Sequence, residues 1–92
     1  IAYEPVWAIG TGQVCDEKEA EKIATNIRGL VQSLYGEKAA EAVHILYGGS
    51  VTAKSSKEMK KAKNIDGLLV GGASLDHKEF TAIVKNFTDS KK

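Results

Sequence analysis

With 92 residues, 42% of them hydrophobic and 27% charged, and a formal net charge of +1, the chain is one globular domain at most, near the lower limit for burying a core. So even a charge balance argues against nucleic acid as the main ligand, which calls for a basic face. A single cysteine, Cys15, excludes an internal disulfide framework, and no apolar run approaches the ~20 residues that span a membrane, so a reducing, cytoplasmic location without membrane or nucleic-acid partners is expected.

In chain order, Ile1-Ala2-Tyr3 is a short apolar run that reads as a strand, and the chain opens inside it without a cap or turn. A segment of a longer protein is therefore expected. The stretch EPVWAIGTG, residues 4–12, follows, with one acid before a proline and two glycines around apolar residues. Pro5, Gly10 and Gly12 argue against a packed strand, and Val6, Trp7 and Ile9 argue against a flexible linker. The pattern fits a loop that closes over an acid at its base. From Asp16 an apolar stripe (Ala20, Ile23, Ala24, Ile27, Leu30, Val31, Leu34) recurs at spacings of three and four, which predicts an amphipathic helix capped by Asp16 and stopped by Gly36.

A second strand is predicted over Val43–Tyr47, closed by Gly48-Gly49, and a short helix from about Ser55 or Ser56 to Ala62. The third strand is Gly67–Val70, closed by Gly71-Gly72, where Ala73-Ser74-Leu75 can open a short helix. A last helix carries Phe80, Ile83, Val84 and Phe87 behind Asp76 as cap. The nearly continuous apolar character of the strands predicts burial on both faces, as in a parallel sheet. Lys54, Lys57, Lys60, Lys61 and Lys63 read as a solvated face.

Repeated βα units give an α/β protein with a parallel sheet, open or closed into a barrel. The loops IGTG, YGGS and VGGAS all leave the carboxyl ends of their strands, which is the ligand face of either architecture. Glycine lets backbone N–H groups approach an anion closely, and helix N-termini favour phosphate, so Gly48-Gly49, Ser50 and Gly71-Gly72 form a candidate anion site. Glu4 stands at the same end. A lid closing over it would withdraw water and make the carboxylate a stronger base. Gly10-Thr11-Gly12 is not a dinucleotide fingerprint, because the third glycine of that motif would fall on Cys15. Cys15, His44 and His77 have no metal-ligand spacing, and no cofactor or metal is expected.

Taken together, AYEPVWAIGTG, YGGSV and DGLLVGGASL resemble triosephosphate isomerase, in the order and spacing of the last three βα units of a parallel (β/α)8 TIM barrel. The resemblance covers essentially the whole chain and implies that residues 1–92 are the C-terminal part of a single barrel domain without an internal boundary. It implies that Glu4 is the base that moves a proton between the two carbons of dihydroxyacetone phosphate and glyceraldehyde 3-phosphate. This family is itself the well-known instance of a glutamate base working with a neutral histidine electrophile under a loop that excludes water.

By the same resemblance, Pro5 to Cys15 is the mobile lid, comprising Pro5, Val6, Trp7, Ala8, Ile9, Gly10, Thr11 and Gly12 with Gln13-Val14-Cys15 as second hinge. That hinge departs from the family's usual lysine-threonine-alanine. The Gly10 amide reaches the phosphate on closure, Ser50, Gly71 and Gly72 hold it from the static side, and Tyr47 and Ser50 bond the closed lid. The family's electrophilic histidine, its substrate lysine and asparagine and its homodimer-forming loop belong to earlier units and match no position here. The segment alone is expected to be inactive and to fold poorly or self-associate. The rival readings are another barrel enzyme acting on a phosphorylated sugar, and a non-catalytic module that binds the remainder of a barrel.

Overall fold

In the computed structural model, which describes residues 1–6 and 16–88, two-to-three-residue strands alternate with helices. The order is β1 (Ala2–Tyr3), α1 (Glu17–Tyr35), α2 (Glu37–Ala42), β2 (Leu46–Gly48), α3 (Ala53–Met59), β3 (Gly67–Leu69), a 3-10 turn (Gly72–Leu75) and α4 (His77–Thr88). The strands form one parallel sheet in the order β1-β2-β3. Its register pairs Tyr3 with Tyr47, and Tyr47 with Leu68.

The helix ends follow local chemistry. Asp16 accepts a hydrogen bond from the Lys18 amide at 2.8 Å and so satisfies one of the free donors of the first turn of α1. Gly36, at φ 98°, stops α1 in a conformation that a side chain resists, and its N–H closes onto the Gln32 carbonyl at 2.8 Å. In α4, Asp76 accepts from the amides of Lys78 and Glu79.

Four sequence-based expectations need correction, the first being the third strand, which ends at Leu69, short of Val70. Val43, His44 and Ile45 precede β2 and are not part of it, and the strand runs on to Gly48. The short helix starts at Ala53, ahead of Ser55, because Thr52 and Ser55 exchange side-chain bonds with each other's amides and fix its first turn; it also ends at Met59, short of Ala62. The strands are not buried on both faces. Ala2 is exposed and Leu69 is 44% exposed, and both lie on β1 and β3, which have β2 as their one neighbour in the sheet.

The core sits between the middle strand and the helices. Ile45 and Tyr47 pack with Ala20 and Ala24 of α1, Met59 of α3, and Ile83 and Phe87 of α4. The two alanines bring α1 close to the sheet. The apolar stripes of α1 and α4 are split, however: Leu30 (61% exposed) and Leu34 (64%) face outward, as do Phe80 and Val84.

A polar network secures the opposite end of the sheet, where the strands begin. Arg28 of α1 donates to the carbonyls of Ala40, Val43 (3.0 Å) and Asn64 (3.2 Å), to Asn64 Oδ1 (2.9 Å) and to Asp66 Oδ2 (2.9 Å). Asp66 Oδ2 also accepts the Ile45 amide at 2.9 Å, and the Asp66 amide donates to the Ile45 carbonyl at 2.7 Å. Glu21 binds both the backbone and the side-chain amide of Asn64, at 2.8 and 2.7 Å. One helix is thereby tied to the entries of β2 and β3.

Candidate active site

Glu4 is the first residue beyond β1, so the strand delivers it to the carboxyl end of the sheet, where it is exposed. Pro5 behind it is buried, and a residue before proline is held extended, so the backbone cannot begin a helix there. The side chain of Glu4 lies across the end of β2, against Gly48. Val6 is exposed, and the rest of the predicted lid, Trp7, Ala8, Ile9, Gly10, Thr11 and Gly12 together with the Gln13-Val14-Cys15 hinge, lies outside the described residues.

The two glycine pairs differ. Gly48 is buried at the end of β2, and Gly49 and Ser50 behind it are half-buried. The Ser50 carbonyl accepts a long bond from Ser55 Oγ, 3.4 Å, which ties this loop to the first turn of α3. Gly71 and Gly72 are exposed, and a Cβ built at either meets no described atom within 4 Å. The short helix expected from Ala73-Ser74-Leu75 is a 3-10 turn that begins at Gly72. Ser74 holds it by donating Oγ–H to the Val70 carbonyl at 2.9 Å and N–H to the Gly71 carbonyl at 2.9 Å.

The structure therefore brings Glu4, Ser50, Gly71 and Gly72 to the same end of one sheet. Tyr47 immediately precedes Gly48 on β2, and its side chain is buried, at 1% exposure. His44 precedes β2, at the far end of that strand from Glu4, and lends its backbone carbonyl to the Ile1 nitrogen at 2.9 Å. His77 is exposed at the start of α4. Among the described residues no group of three His, Cys, Asp or Glu side chains is arranged to hold a metal ion.

A cavity of about 410 Å³ opens at the start of α1 and α3, between Asp16, Glu17, Lys54, Glu58 and Met59. It contains none of the predicted site residues. The chemistry suggested by the sequence belongs to the open strand ends.

The clamp of α4 on α3 was not anticipated. Glu79 accepts the Ala53 amide at 2.7 Å, and Asn86 donates to the Ala53 carbonyl at 2.8 Å. These bonds brace the helix that follows the Ser50 loop. A lone acid and a lone amide on a helix gave no signal in the sequence, because their partner is backbone 26 and 33 residues away.

A strand-end glutamate before a buried proline, with glycine-bearing turns at the ends of the neighbouring parallel strands, is an arrangement that comparison with known proteins can identify. The family model described as triosephosphate isomerase matches residues 1–87. The chain belongs to the triosephosphate isomerase family. It is 54% identical over 84 residues to the triosephosphate isomerase of Clostridium tetani, covering 91% of this chain and 33% of that protein. It is 52% identical over 86 residues to the one of Corynebacterium efficiens, with 94% and 33% covered. It is 46% identical over 91 residues to the chloroplastic triosephosphate isomerase of Arabidopsis thaliana, covering 99% of this chain and 29% of that protein. The chain thus spans about a third of the length of the triosephosphate isomerases it matches. Its parallel βα units are those of a partial TIM barrel. No helix among the described residues is long and apolar enough to cross a membrane.

Proposed function

We propose that the chain supplies the base and the static side of the phosphate cradle of a triose-phosphate isomerase, as the C-terminal part of one barrel domain. The observation that carries this reading is the position of Glu4, at the carboxyl end of the sheet beside the glycine-bearing turns that follow β2 and β3. Glu4 takes a proton from C1 of dihydroxyacetone phosphate. Glu4 returns that proton to C2 of the enediol while the O1 hydroxyl gives up its proton and O2 gains one, giving glyceraldehyde 3-phosphate, and Glu4 ends in its starting form. Ser50, Gly71 and Gly72 hold the phosphate through short side chains and backbone N–H groups. Residues 5–15 form the lid, with Pro5, Val6 and Trp7 as first hinge, and the Gly10 amide closes onto the phosphate. Tyr47 and Ser50 secure the lid when it is shut, and exclusion of water protects the enediol phosphate from losing its phosphate.

Proton removal next to a carbonyl also needs a group to stabilise the charge that develops on oxygen. His44 lies at the wrong end of β2 for that task. The electrophile therefore comes from βα units that precede this segment in the longer relatives. A homodimer and a cytoplasmic location belong to the same proposal, supported by the family alone.

The test is isomerisation of triose phosphates by the 92-residue chain, and by the chain joined behind the preceding βα units of the Clostridium tetani relative. The chain alone is expected to be inactive and the joined protein active, with Glu4→Gln lowering kcat about 10²–10⁴-fold, the usual contribution of a general base. A folded joined protein without activity, or one indifferent to Glu4→Gln, overturns the proposal.

A further inference from the structure

We infer that Gly48 is a positioning residue for Glu4: the missing side chain at the end of β2 is what lets the Glu4 side chain lie across the strand and so sets where its carboxylate stands. This deepens the isomerase proposal and rests on it for its catalytic arm. The sequence pattern assigned Gly48, with Gly49, to the anion. The structure gives it a different neighbour. A Cβ built at Gly48 would stand 2.8 Å from Glu4 Cγ, 3.4 Å from Cδ and 3.4 Å from Oε2, so among the described residues its three nearest atoms all belong to Glu4. Carbon atoms pack at about 3.5–4.0 Å, so a contact at 2.8 Å forces one partner to move.

Which partner moves is decided by restraint. Gly48 is buried and in register with Leu69 on β3, so the sheet ladder holds its backbone. Its φ is not among the positive values, which occur at Gly36 and Gly49, so alanine suits the conformation. Glu4 is exposed, with side-chain torsions that turn freely, while its backbone is fixed by the buried Pro5. A methyl group at Gly48 therefore leaves both backbones in place and forces the Glu4 side chain off the rotamer it holds, which moves the carboxylate and costs some stability. Gly71 and Gly72 contrast with this, since a Cβ at either meets no described atom within 4 Å. Gly48 makes room for the base, whereas Gly71 and Gly72 have no described atom to make room for.

The experiment uses the chain joined to the preceding units of the Clostridium tetani relative. Gly48→Ala is expected to lower kcat by about 10- to 100-fold, the size of effect that follows a misplacement near 1 Å. KM for triose phosphate and the inhibition constant of inorganic phosphate should change by less than about threefold, since the cradle is untouched. The urea midpoint should also fall, and Glu4→Ala should restore it in the double variant, because the clash needs both side chains. If Gly48→Ala alone does not fold, Glu4→Ala/Gly48→Ala is expected to fold.

An unchanged kcat in Gly48→Ala, or equal loss of midpoint with and without the Glu4 side chain, overturns the inference. So does a rise in KM at constant kcat, which would return Gly48 to the anion. A joined protein that folds without activity overturns the isomerase proposal alone. The urea cycle then still decides whether Gly48 and Glu4 are coupled.

Discussion

Arg28 spends all three of its nitrogens on the entries of β2 and β3, and most of its acceptors are backbone carbonyls that nothing else is placed to replace. Removing the guanidinium takes a donor from each of those carbonyls and leaves the Asp66 carboxylate with the Ile45 amide in place of two donors. Arg28→Met is therefore expected to cost about 1–3 kcal/mol, the penalty for partly buried polar groups left unpaired, read from urea unfolding of the joined protein. Asp66→Asn should cost less, because an amide oxygen still accepts the Ile45 N–H. Neither change should alter kcat, since both residues lie at the far end of the strands from Glu4. An equal loss in kcat would show that the two ends are not independent. Glu4 itself could be picked out from EPVW, where a lone acid precedes a proline at a strand end. Arg28 could not, because an arginine on a helix surface gives no hint of partners 36 and 38 residues away.

The helices divide in the same way between what a pattern shows and what it hides. The span of α1 was readable from its long apolar stripe, its Asp16 cap and its Gly36 stop. The six-residue α2, EKAAEA, was not anticipated, because it has no stripe and buries one residue, Ala40. The start of α3 was set too late because its capping box uses Ser55 where glutamate or glutamine is the usual third partner. Gly36 serves both α1 and α2, ending one and preceding the other at φ 98°. A Cβ there meets no described atom within 4 Å, so substitution tests backbone conformation alone. Gly36→Ala is expected to destabilise by about 1–3 kcal/mol, and a urea midpoint unchanged from the parent would contradict the positive-φ conformation.

Seen whole, the molecule buries one side of its apolar inventory and shows the other. Leu30, Leu34 and Tyr35 on α1 and Leu75, Phe80 and Val84 on or beside α4 are exposed, and β1 and β3 each have one strand partner. Apolar helix faces and open strand edges associate. The 92-residue chain is therefore expected to sediment as concentration-dependent oligomers, and Leu30→Glu/Leu34→Lys to shift it toward monomer. A monomer at all concentrations in the parent would contradict this. The sequence pattern identified which positions are apolar and which strands run parallel, because periodicity records both. It could not show which apolar positions are covered. Coverage depends on which elements are present to pack, and matching proteins are about three times as long.

The Arg28 network also sets a gradient of opening along the sheet. The amides of Ile45 and Asp66 are held in reciprocal bonds beneath the guanidinium, whereas beyond Gly48 the backbone passes into a loop that a 3.4 Å bond ties to α3. In deuterated water the Ile45 and Asp66 amides should exchange at the rate of global unfolding, and those of Gly71 and Gly72 much faster, through local fluctuations. The molecule then breathes from one end only, and the loops that meet a ligand can rearrange on every encounter without the strands losing register.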